Sequence, residues 1–328
     1  GVVMSKAIRL YETGGPEVMR WEDVAIGLPG PGEVHLRQSA VGLNFIDIYH
    51  RSGLYPLPGF PATIGMEGAG VVVATGENVE GLSPGDRVAY AGLPPGAYAE
   101  ERLMPAHRLV RLPDAISDQQ AAGMMLQGMT AQYLLRSTFH IKPGDTILFH
   151  AAAGGVGLIA CQWAKALGAT VIGTVGSVEK AELAKAHGCD FPLLYREEDW
   201  VARVMEITDG EGVPVVYDSV GAETFMKSLD CLRPLGLLAS FGQASGPVAP
   251  FDPAVLAAKG SLFLTRPTLM TYTADRDDLL ASAADLFAVV ESGDVEIAVN
   301  QTYPLSEAAQ AHRDLEARKT TGSTVLIV

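Results

Sequence analysis

At 328 residues the chain exceeds one ordinary domain and suits two, each with room for a core. A hydrophobic share of 48% beside 19% charged residues describes a soluble globular protein and excludes a disordered or fibrous one. The net charge of −14 argues against a nucleic-acid partner, because phosphate binding requires a basic field, although one small basic pocket stays compatible with it.

No apolar run approaches the roughly 18 residues that a membrane span needs, and the start of the chain lacks a signal-peptide pattern. No membrane partner is expected, and Gly1-Val2-Val3 ahead of Met4 are set aside. The three cysteines, Cys161, Cys189 and Cys231, form no Cys-x-x-Cys pair. They signal neither a disulfide framework nor a thiolate zinc cluster and point to a reducing, cytoplasmic compartment. No internal repeat is apparent.

Residues 5 to about 125 read as short strands punctuated by turns. EVHLRQSA (33–40) alternates Val34 and Leu36 with polar neighbours, the pattern of a half-buried strand. Strands at 71–73 and 88–90 are separated by Gly, Asn and Pro-Gly-Asp turn chemistry. From about 126 to 265 the rhythm changes. Short apolar runs TILFHA (146–151), TVIGTV (170–175), VPVVYDSV (213–220) and LGLLASFG (235–242) alternate with helix-like segments at 156–167, 178–186, 199–207 and 222–232. Such alternation predicts right-handed βαβ crossovers and a parallel sheet. A helix-like segment at 275–291, a strand near 295–301, a helix from Ser306 and a last strand STVLIV follow. This tail is expected to return in part to the first domain.

LFHAAAGGVGLIACQWAKALGAT (148–170) carries the sharpest chemical signal. A strand runs into Gly154-Gly155-Val156-Gly157, and a helix starts around Gly155. A helix N-terminus offers unpaired N–H groups and the positive end of its dipole, and glycines remove the Cβ atoms that would hold an anion away. A pyrophosphate suits such a seat, while a purely structural tight turn explains a glycine cluster equally well. The next strand ends at Gly173-Thr174-Val175, where an NAD site places Asp or Glu on the ribose 2′-hydroxyl. No acid stands there. Gly176, Ser177 and Lys180 follow instead, a set able to bind a 2′-phosphate, so the cofactor reads as NADPH. Otherwise Lys180 is an ordinary solvated helix lysine.

The run from Gly144-Asp145 through Leu148, Ala152-Ala153-Gly154-Gly155, Gly157, Gln162 and Lys165 resembles the signature of the quinone oxidoreductases. This group of the medium-chain dehydrogenase/reductase superfamily includes the ζ-crystallins. VGLNFIDIYHRSGLYP (41–56), GMTAQYLL (128–135), YREED (195–199), YDSVG (217–221), GSLFLTRPTL (260–269) and ARKTTGSTVLI (317–327) resemble the same group in the same order. The resemblance implies an α/β protein: a GroES-like β domain at 1–125 and 266–328, an inserted Rossmann domain at 126–265, the cofactor in the cleft, and a homodimer.

The resemblance also assigns sites. Gly155 and Val156 face the pyrophosphate. Gly176, Ser177, Lys180 and Tyr195 surround the 2′-phosphate, with Arg318 as a second positive charge. Ser219, Val220, Phe241 and Gly242 lie at strand ends. Asn44, Phe45, Ile46, Tyr49, Tyr133, Pro267 and Leu269 line the nicotinamide side, where plain packing competes as the explanation of the apolar ones. Zinc-dependent relatives carry a Cys where this chain has Asn44 and a His where it has Met66, and Asn and Met are poor zinc ligands; no metal is expected. Without a Lewis acid the acceptor must be electrophilic on its own: a quinone, with a 2-alkenal or enone as the alternative. A non-catalytic NADPH-binding protein, crystallin-like or RNA-binding, is the reading from another class.

Reducing equivalents would pass from the nicotinamide to a quinone held in an apolar slot. Tyr49 and Tyr55 are the candidate proton donors, unless they are apolar wall with a polar tip. Asn44 is placed to position nicotinamide or substrate through its amide. His50 and Arg51 are expected to be exposed or ion-paired, and Asp47 structural.

Overall fold

The computed structural model describes residues 2–328; Gly1, set aside above with Val2 and Val3, lies outside the described residues. The chain forms two compact units. Unit 1 comprises the chain up to Met129 together with Thr273–Phe287 and Ile297–Val328, and unit 2 comprises Thr130–Tyr272 and Ala288–Glu296.

In unit 1 a mixed sheet runs, strand beside strand, Val299–Pro304, Ser323–Ile327, Glu33–Leu43, Glu67–Thr75, Arg87–Ala91, Val110–Arg111, with Glu101–Pro105 paired to Glu33–Leu43. Leu326 pairs with Val41, so the C-terminal strand joins the sheet of the first domain. Val34, Leu36, Val41, Tyr90, Tyr98, Met104 and Leu326 fill the core beneath. Helix Phe45–Ser52 follows the sheet's Glu33–Leu43 strand directly and carries a strong amphipathic pattern. It ends at Gly53, whose φ of 89° a residue with a Cβ adopts only under strain.

In unit 2 a parallel sheet has the order Phe191–Leu194, Thr170–Val175, Thr146–Phe149, Val213–Asp218, Leu232–Ser240, Phe263–Thr265. Numbered along the chain from Thr146, that is 3-2-1-4-5-6, the doubly wound order whose switch point lies beside the first strand. Every strand pair in this sheet is parallel. The strands are buried on both faces: Ile147, Leu148, Val171, Ile172, Val215 and Val216 are all fully buried. That is why they read as continuous apolar runs rather than alternating ones.

The unit boundaries differ from those read in the sequence, and side-chain chemistry supplies the reasons. Residues 126–129 stay with unit 1, where Leu126 N donates to Glu67 Oε2 at 2.8 Å and Gln127 Oε1 accepts from Ser323 Oγ. Residues 266–272 stay with unit 2, where Tyr272 stacks on Tyr133 with centroids 4.2 Å apart and accepts from Thr138. Residues 288–296 also belong to unit 2: Gln162 donates to Glu296 O and accepts from Glu296 N, at 2.9 and 2.8 Å.

Candidate functional site

The glycine turn in unit 2 is built by close approach. Strand Thr146–Phe149 ends and the chain turns through His150 and Ala151, the latter at φ 53°. Gly154 then starts helix Gly155–Ala166, with no side chain capping its N-terminus. A Cβ at Gly157 would overlap the Ala151 carbonyl, and one at Gly173 on the next strand would stand 2.6 Å from Ala152 Cβ. These two glycines therefore let the turn, the helix and the neighbouring strand close up. Gly155 and Val156 lie in the uncapped first turn, half-buried, where N–H groups have no partner within the helix.

At the neighbouring strand end Ser177 is the N-cap of helix Val178–Ala186; its hydroxyl accepts from Lys180 N at 3.3 Å. Gly176 faces the Tyr195 ring, because a Cβ there would lie 3.4 Å from Tyr195 Cε1. Gly176, Ser177, Lys180 and Tyr195 are all half-buried. Across the switch point, Ser219 and Val220 follow strand Val213–Asp218, and Phe241 and Gly242 follow Leu232–Ser240. The two loops interlock: Ala244 N donates to Ser219 O at 3.1 Å and Ser245 N to Val220 O at 2.8 Å. A cavity of about 490 Å³ opens beside Gly242 and is lined also by Ser240, Gln243, Phe251 and Arg266. Tyr133, Pro267 and Leu269 are buried, and burial first of all pushes the Tyr133 phenol above its ordinary range.

In unit 1, Asn44 caps helix Phe45–Ser52, and Asp47 reaches back to Asn44 N at 3.0 Å. The Asn44 amide donates to Glu67 Oε1 at 2.9 Å. Phe45 is exposed, Ile46 half-buried and Tyr49 buried. Phe45 and Tyr49 stack with centroids 6.4 Å apart, and Tyr49 meets Tyr55 edge-on at 5.0 Å. The structure thus gathers Asn44, Phe45, Tyr49 and Tyr55 at one helix, whereas Arg318 stands exposed in unit 1 at φ 59°.

His50 corrects the sequence reading, because its ring is buried and its Nδ1 has no hydrogen-bond partner; burial lowers its pKa. Arg51 is paired as expected but buried. It bonds Gly14 O, His312 Nδ1 and Glu316 Oε1, the last two supplied from far along the chain. Glu67, and Asp47 in its expected structural role, complete the polar interior. Glu67 accepts from Asn44 and from Leu126 N, yet burial, aided by the charge of Asp47, pushes its carboxyl up to about 8. Asp47 accepts from Tyr98 Oη at 2.7 Å and is pushed by burial to about 7. In unit 2, His150, Thr174, Asp218, Thr224 and Ser228 form a second buried cluster. Its only trace in the sequence is a polar residue closing each of three apolar strands.

Residues 30–114 match the family model described as alcohol dehydrogenase GroES-like domain, and residues 155–282 the one described as zinc-binding dehydrogenase. The side chains at the corresponding positions do not fit zinc. The Asn44 amide nitrogen is committed as a donor to Glu67, and Met66 is buried. Among the described residues no three His, Cys, Asp or Glu side chains converge as metal ligands. The uncapped helix start and the glycine floor do fit a dinucleotide.

The chain is 55% identical to the quinone oxidoreductase of Pseudomonas aeruginosa, spanning 99% of this chain and 100% of that protein. It is 47% identical to the 2-haloacrylate reductase of a Burkholderia species, with 99% of each covered. The crystal structure of Escherichia coli quinone oxidoreductase complexed with NADPH superposes with a TM-score of 0.97 at 48% identity, covering 98% of this chain and 100% of that one. With this fold, this glycine turn and likeness over the full length, the chain belongs to the quinone oxidoreductase family of the medium-chain dehydrogenase/reductase superfamily, NADPH-binding oxidoreductases.

Proposed function

We propose that the chain passes reducing equivalents from NADPH to a quinone without the help of a metal. The observation that carries this reading is the turn at 151–157: a helix start with no side-chain cap above a glycine floor, beside strand Thr170–Val175, which ends without an acid and is followed by Ser177 and Lys180. Gly155 and Val156 hold the pyrophosphate through backbone N–H groups. Gly176, Ser177, Lys180, Tyr195 and Arg318 hold the 2′-phosphate. Ser219, Val220, Phe241, Gly242, Tyr133, Pro267 and Leu269, with Asn44, Phe45, Ile46 and Tyr49, serve the nicotinamide end. When bound, the nicotinamide would supply the reducing equivalents from C4.

The protein's contribution is chiefly orientation of two flat rings, with Tyr49 or Tyr55 giving a proton to the reduced acceptor. Asn and Met at positions 44 and 66 supply no Lewis acid, so the acceptor must be electrophilic unaided. The chain acts as a homodimer in the cytoplasm. Supporting the compartment are three buried cysteines without a disulfide.

The 47% identity to a 2-haloacrylate reductase favours one second reading, reduction of an activated alkene. Purified protein given NADPH or NADH against ortho-quinones, para-quinones, 2-alkenals and 2-haloacrylates separates the two. Quinone turnover with NADPH preferred supports the proposal, and alkene turnover alone supports the second reading. Tight NADPH binding with no turnover of any acceptor would leave a non-catalytic binding protein.

A further inference from the structure

In unit 2 a chain of four buried side chains crosses beneath the loops that carry the cofactor candidates. Thr174 Oγ1 lies 2.7 Å from His150 Nδ1, His150 Nε2 lies 2.9 Å from Ser228 Oγ, and Ser228 Oγ donates to Asp218 Oδ2 at 2.7 Å. Asp218 also accepts from Val220 N at 2.9 Å, Gly221 N at 3.1 Å and Thr224 Oγ1. Each member but Ser228 sits where a strand gives way to a loop. Thr174 is two residues before Gly176, His150 opens the turn at 151–157, and Asp218 immediately precedes Ser219. Backbone bonds run in parallel: Ala152 N to Thr174 O, and His150 N to Tyr217 O, each at 3.0 Å.

We propose that Thr174, His150, Ser228 and Asp218 form a strut that sets the three cofactor-bearing loops against one another, making His150 and Asp218 positioning residues for the dinucleotide. The proposal rests on the NADPH reading above.

The strut has one consistent arrangement of protons. The Ser228 hydroxyl has a single hydrogen, which is spent on Asp218, so its oxygen must accept from His150 Nε2–H. A neutral ring then has a bare Nδ1, which accepts from the Thr174 hydroxyl. Burial lowers the His150 pKa despite the nearby Asp218 charge, in keeping with a neutral ring. Every group is satisfied, which is the condition under which a buried polar network gives rigidity rather than instability.

Ring ¹⁵N NMR of the intact protein and equilibrium binding of NADPH and NADH test the strut. The wild type should show His150 protonated on Nε2. In Asp218→Asn the backbone N–H groups of Val220 and Gly221 keep the side-chain oxygen, so the new NH₂ faces Ser228 and reverses the chain; the ring proton should move to Nδ1. Ser228→Ala removes the middle of the strut at a residue outside the cofactor candidates. It should weaken NADPH and NADH binding by the same factor, about tenfold for one buried hydrogen bond to a charged network, and Ser228→Thr should restore most of the loss. Thr174→Val makes the same test from the other end should Ser228→Ala fail to fold. Unchanged nucleotide affinity in the folded variants, or a wild-type His150 protonated on Nδ1, would overturn the strut. A wild type that binds neither nucleotide would overturn the NADPH reading instead, while the ring spectrum would still judge the strut.

Discussion

The two units bury their acids under opposite conditions. In unit 2, burial works to raise the pKa of Asp218, but the hydrogen bonds from the Thr224 and Ser228 hydroxyls and Gly221 N–H hold the carboxyl below its ordinary range. In unit 1, Glu67 also accepts several hydrogen bonds, yet burial drives it to about 8, and the charge of Asp47 adds to the rise. The contrast lies in the company each acid keeps. Asp218 sits among hydroxyls and an imidazole, whereas Glu67 and Asp47 flank the same residue, Asn44, and the Asp47 charge disfavours ionisation of Glu67. A buried acid with a full donor shell fixes geometry; a buried pair titrates close to neutrality.

The comparison breaks first at Asp218. Asp218→Ala leaves two hydroxyls and two backbone N–H groups without their acceptor and should cost about 3–5 kcal/mol. Urea unfolding of the wild type and variant measures it, and a loss under 1 kcal/mol would show that the donors find other partners. A smaller effect separates the two ends of the cofactor. Lys180→Ala should weaken NADPH binding about tenfold, or about 1.4 kcal/mol, with little change for NADH. An equal loss for both would refute the 2′-phosphate assignment.

The pH dependence of stability distinguishes the units by sign. Glu67 and Asp47 have raised pKa values in the folded state, about 8 and about 7, so the folded chain keeps protons that the unfolded chain has released. Their contribution is full below the ordinary carboxylate range and is lost as pH rises through those values. His312, which burial and then the Arg51 charge pull down to about 3 from an ordinary 6.5, costs stability only below 6.5, and the lowered His50 and His150 act in the same direction. Asp218 likewise loses its contribution on acidification. Between pH 6.5 and 8 the unfolding free energy should therefore decline, and Glu67→Gln should flatten the decline. A slope unchanged by that substitution would mean that Glu67 is already ionised there.

Much of this was legible in the sequence because it is local. Fully buried parallel strands separated by helices write themselves as apolar runs at regular spacing, and the seat at 154–157 is four consecutive residues. The strand ends at 151 and 220 were read two residues long, because no Gly or Pro marks where the ladder stops after Phe149 and Asp218. The buried networks were not legible. Arg51 meets Glu316 across 265 residues and Tyr98 meets His312 across 214, and no spacing rule connects them. His150 and Asp218 were each visible as a polar residue at a strand end, but only the sheet order brings them together. Gln162, read as part of the family signature, holds residues 288–296 in unit 2, a role that appears only once Glu296 is found beside it.

The smallest expected effect concerns the aromatic group in unit 1. Tyr49 and Tyr55 meet edge-on, and Tyr55 N donates to Tyr49 O at 3.1 Å, closing the turn between them. Replacing either by Phe keeps the ring contact and the backbone bond and removes only the hydroxyl. A phenol that protonates a reduced quinone assists a step which water can also perform, because the quinol anion is a weak base. The loss in kcat from Tyr49→Phe or Tyr55→Phe is therefore expected to be about fivefold, or about 1 kcal/mol, with KM unchanged. That is far below the hundredfold or more of a general acid acting on a poor leaving group. A kcat unchanged in both variants would assign the two rings to packing alone, while a rise in KM without loss of kcat would make the lost hydroxyl a binding contact for the acceptor.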